Sequence, residues 1–61
     1  MNIEIQTYSN RQRAVLWENG IVLEIGESSQ DLPVEELIDY VLDEAQKDIR
    51  DVQEITYKEV D

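Results

Sequence analysis

The dipeptide Asn19-Gly20 constrains this chain more than any other feature. It stands between two β-rich runs, and both central residues of a type I′ turn need φ > 0, which Asn and Gly tolerate best. A tight β-hairpin over residues 11 to 26 follows. With Asn19 and Gly20 as the loop, Glu18 faces Ile21, and the outward pairs are Trp17/Val22, Leu16/Leu23, Val15/Glu24 and Ala14/Ile25. Side chains alternate across a strand, so Ala14, Leu16, Ile21, Leu23 and Ile25 are expected on one face, the core. Val15, Trp17, Val22 and Glu24 are expected on the other.

Residues 1 to 8 alternate apolar and polar as a half-buried strand does, and Ser9-Asn10 supplies turn residues. A two-residue loop there sets Ile3 opposite Leu16 and Ile5 opposite Ala14, on the same core face that the second turn assigns. A one-residue slip would send every side chain to the wrong side, so the agreement of two turns predicts a three-stranded antiparallel meander.

Residues 26 to 33 read as a connecting loop, with Pro33 suited to the first helical position and Glu35 and Glu36 in the first turn, where they complement the helix dipole. Val34, Leu37, Ile38, Val41, Leu42, Ala45, Ile49 and Val52 then recur at the spacing of one helical stripe. The pattern predicts a single uninterrupted helix with Lys47 and Arg50 toward its C-terminal end. In the tail, Ile55 and Tyr57 alternate with Thr56 and Lys58, which predicts a fourth strand over 54 to 60, with a frayed helical extension as the alternative. The helical crossover is long enough for a parallel partner, the first or the third strand, and of the few topologies that right-handedness leaves the place beside the first is preferred. The expected fold is a single α+β domain over residues 1 to 61, β-β-β-α-β, with sheet order 4-1-2-3 and the amphipathic helix on one face.

Sixty-one residues bury a modest core, and chains of this size are often marginal without disulfides, metals or oligomerisation. Extra burial by homodimer formation is therefore an open expectation. There is no Cys and no His, hence no disulfide, no thiolate metal site and no imidazole base. Ser9, Ser28 and Ser29 have no activating partner nearby in sequence, and an EF-hand loop spacing is absent, so the helix carboxylates would hold divalent cations only loosely. No catalytic residue, cofactor or metal ligand is expected, and the chain reads as a non-enzyme. No apolar run approaches a membrane span, and the opening residues lack the basic and apolar regions of a signal peptide. A soluble cytoplasmic protein is expected.

Charge is the unusual property: fifteen acids against five bases, net −10, with eleven of the acids in residues 28 to 61. Such a surface repels nucleic acid and favours basic partners. Two candidate surfaces emerge. On the exposed side of the helix, Glu35, Glu36, Asp39, Tyr40, Asp43 and Glu44 form an acidic face; it is either a solvated face or a docking surface for a basic, nucleic-acid-binding protein. Neighbours three or four residues apart are about 5 to 6 Å between Cβ atoms, comparable to phosphate separations along one strand, so mimicry of DNA is geometrically open. On the sheet face away from the helix, Val15, Trp17 and Val22 form an apolar anchor with a charged rim, as interfaces do. Small size, acidity, an α+β pattern and no catalytic inventory together have the character of inhibitors encoded by mobile elements such as phages.

Overall fold

The computed structural model describes residues 1–61. Its elements are β1 (Asn2–Thr7), β2 (Gln12–Glu18), β3 (Ile21–Ser28), α1 (Val34–Glu44), a 3-10 turn (Ile49–Asp51) and β4 (Glu54–Glu59). The four strands make one sheet in the order β3-β2-β1-β4. β1 and β2 are antiparallel with Ile3 opposite Leu16 and Ile5 opposite Ala14, as a two-residue Ser9-Asn10 loop requires. β4 lies parallel to β1, with Ile55 beside Ile3. The Asn19-Gly20 turn has φ of 54° and 80° at its two residues, the left-handed pair a type I′ turn demands.

The core lies between the sheet and α1. Ile3, Ile5, Ala14 and Leu16 from the strands meet Leu37, Ile38, Val41 and Leu42 from the helix, and Met1 completes the buried cluster. Gln12 is the one buried polar side chain, 5% exposed. Its amide donates to the Leu32 carbonyl at 2.7 Å and the Ser29 carbonyl at 3.2 Å. Those bonds hold the β3–α1 connection against β2.

The β2–β3 register departs from the simple hairpin. Trp17 pairs with Val22 and Glu18 with Ile21, but a bulge then shifts the ladder so that Leu16 faces Glu24, Val15 faces Ile25 and Ala14 faces Gly26. The extra residue reverses the facing of the outer half of β3. Ile21, expected in the core, keeps its expected partner Glu18 but is 65% exposed beside the turn; Leu23 and Ile25, also expected there, are 36% and 49% exposed, while Gly26 is buried. The reason is space under the helix. A Cβ on residue 26 would lie 2.7 Å from Val41 Cγ1 and 3.0 Å from Tyr40 Cδ2, so the unbroken register would have driven Ile25 into the place where only glycine fits. The shift also sets Glu27 opposite Arg13, and β3 consequently runs to Ser28, into the expected loop.

The helix is shorter than its apolar stripe. Pro33 is the N-cap rather than the first helical residue, and Ala45 is the C-cap. Gln46 takes the left-handed conformation with φ 56°; its N–H donates to the Asp43 carbonyl and that of Lys47 to the Leu42 carbonyl at 2.8 Å. This is a Schellman closure built without glycine. Asp48 then caps the separate 3-10 turn by accepting from the Arg50 N–H at 2.9 Å. Ile49, in phase with the stripe, is 51% exposed. An unbroken helix to Val52 would run about 12 Å further at 1.5 Å per residue, away from the point where β4 must enter beside β1.

Candidate functional site

The acidic face stands on an eleven-residue helix, about 16 Å long, that carries Glu35, Glu36, Asp39, Asp43 and Glu44 and no base in its last turn. All five, with Tyr40, are exposed. Because the helix closes at Ala45, Lys47 and Arg50 lie beyond it and the helix itself carries no base; Lys47 stands at the end of the Asp39 and Asp43 flank. Asp43 and Glu44 sit at the negative end of the helix dipole, where cations are favoured. Helix stability alone does not explain acids there.

The residues divide into two flanks. Tyr40 lies against Gly26 of β3, and Glu36 and Glu44 stand one turn on either side of it. This row overlooks the outer strand of the sheet. Asp39 and Asp43 fall on the other flank, where they line an open concavity of about 270 Å³ with Leu42, Lys47, Asp48 and Ile49. Glu35, at the first turn, is on the Asp39 side.

The arginines do not neutralise this surface. Glu27 binds both Arg11 and Arg13, at 3.3 and 3.2 Å, and Asp48 binds Arg50 at 3.2 Å. Tyr8 lies beneath Arg11, whose Cζ is 4.0 Å from the ring centroid. All three arginines are thus committed to two acids, and thirteen of the fifteen acids have no ion-pair partner. The Arg50 backbone N–H and guanidinium both donate to the Asp48 carboxylate and hold its pKa below the ordinary value. No cluster of three or more acidic side chains is arranged to hold a metal ion.

On the far side of the sheet, Trp17 and Val22 pair across β2 and β3, with Asn2 next to Trp17 on β1. Val15 is flanked by Glu4 and Ile25. The three expected residues are together, and the bulge adds a fourth, Ile25, in place of Glu24, which moves to the helix side. Val15 is half-buried, and Trp17 is 36% and Val22 53% exposed. The sequence signal that could have found Ile25 is Gly26, a glycine inside a strand run.

Comparison with protein-family models, with curated proteins and with solved structures gives no match. No helix is long and apolar enough to cross a membrane.

Proposed function

We propose that this chain is a non-enzymatic, cytoplasmic protein-interaction module, an inhibitor that docks its acidic helix on a basic, nucleic-acid-binding protein and occupies the groove that phosphates would fill. The observation that carries the reading is the unneutralised helix: five exposed acids with no ion-pair partner, in a chain whose arginines are all engaged elsewhere. Opposed charged surfaces speed encounter and lose attraction as salt rises. A partner captured with the wild-type chain should therefore be released by salt and by the nucleic acid it normally binds. The variant Glu36→Gln, Asp39→Asn, Asp43→Asn should associate at least tenfold more slowly. A ternary complex with nucleic acid, or full binding by the variant, defeats the mimicry reading.

A second reading, a homo-oligomeric accessory module joined through Val15, Trp17 and Val22, is favoured by the addition of Ile25 to that patch. It is separated from the first by sedimentation of the isolated chain, because a monomer at high concentration removes it.

A further inference from the structure

The two edges of the sheet are differently protected. β4 carries Glu54, Lys58 and Glu59 within six residues, the charges by which exposed edges discourage added strands. β3 is eight residues long, contains neither Lys nor Pro, and is paired on its inner side alone. Four of the nine exposed large hydrophobic residues of the chain, Ile21, Val22, Leu23 and Ile25, belong to it. Besides the bulge, its guards are Glu24 and Glu27, both acidic, which discourage an acidic or apolar strand but not a basic one.

Whatever strand lies along this edge meets two different surroundings. On the outer side, Val22 and Ile25 extend the Trp17 and Val15 patch. On the helix side are Glu24, which shares the facing of Leu16, and the Glu36–Tyr40–Glu44 row above Gly26. The bases nearest in the sheet, Arg11 and Arg13, are held by Glu27. A second copy of this chain would bring another net −10 and set its own acids against these.

We propose that the free edge of β3 receives an extended segment of a basic partner protein, apolar at alternate positions toward Val22 and Ile25 and basic at the intervening ones toward Glu24, Glu36 and Glu44. Strand addition uses backbone hydrogen bonds for affinity and alternate side chains for specificity. This rests on the reading of a basic partner and specifies where and in what conformation that partner binds.

The probe is a capped octapeptide alternating Lys and Val, compared with one in which two central Val are Pro, which keeps the charge but cannot donate a ladder of N–H bonds. Amide spectra of the isotope-labelled chain should show the first peptide shifting residues 21 to 28 and slowing their hydrogen exchange at least tenfold. The Pro peptide should bind at least tenfold more weakly, and Val22→Lys, at an exposed position, should weaken the alternating peptide by a similar factor. If both peptides bind equally and the shifts fall on α1 alone, the edge proposal is wrong while the acidic docking reading stands. If neither binds at millimolar concentration in low salt, both are wrong. Slow exchange of β3 amides in a dimer of the free chain also overturns the proposal, because a second copy then occupies the edge.

Discussion

Single residues decide how closely the layers of this molecule approach. Gly26 is the seat of the helix: it lies opposite Ala14 on β2, and Val41 and Tyr40 close over it. Adding one methyl there brings carbon atoms within 2.7 Å, and overpacking of this kind costs about 1–3 kcal/mol. Gly26→Ala should accordingly lower the denaturant midpoint by that equivalent, and an unchanged midpoint would show that α1 can ride outward freely. Gln12 plays the polar counterpart. Its amide is the buried donor for two loop carbonyls, and no apolar residue of its size could replace those bonds.

At the scale of elements, the end of α1 matters as much as its length. The turn after Gln46 is secured by Asp48, whose carboxylate accepts from the Arg50 backbone and side chain. Its folded pKa is lowered by those bonds, so its contribution is present above the ordinary carboxylate value of about 3.9 and is lost as pH falls through the folded value. Asp48→Asn keeps a capping oxygen but cannot ionise. The stability difference between wild type and this variant, followed by denaturant melts, should hold from neutral pH to about pH 5 and shrink only as pH falls below the ordinary carboxylate value. A difference independent of pH would mean that Arg50 does not bind the ionised form in solution.

For the whole molecule, the dominant quantity is unbalanced charge. The protein measures 29 × 20 × 15 Å. Charges across it feel one another at 0.01 M salt, where the Debye length is about 30 Å, and are largely screened at 0.1 M, where it is about 10 Å. Thermal melts should therefore rise by several degrees across that range at pH 7. The triple neutral variant at Glu36, Asp39 and Asp43 should start higher and respond less, since relieving the Asp39/Asp43 repulsion alone is worth about 0.2–0.5 kcal/mol. A flat salt response in the wild type would show that Arg11, Arg13, Lys47, Arg50 and Lys58 already balance the field.

The order of elements, the type of the second turn and the β1–β2 register are legible in the amino-acid sequence, because each rests on local chemistry or on alternation that a slip would ruin; that β4 pairs with β1 and not β3 is only preferred there and is settled by the fold. Asn19 and Gly20 admit φ > 0, and Ile3, Ile5, Ala14 and Leu16 must share a face to be buried at all. The amino-acid sequence also supplied the exposed acids of α1 and the Val15, Trp17 and Val22 patch. The facing of β3 beyond Trp17 and the end of the helix are settled by packing instead. The bulge places Gly26 under Val41 because no other residue of that strand lacks a Cβ, and that contact joins residues fifteen positions apart. The helix stops where Gln46 turns left-handed and Asp48 can cap the next turn, although Ile49 and Val52 keep its apolar period. Periodicity records which side chains could face inward; the space between helix and sheet selects those that do.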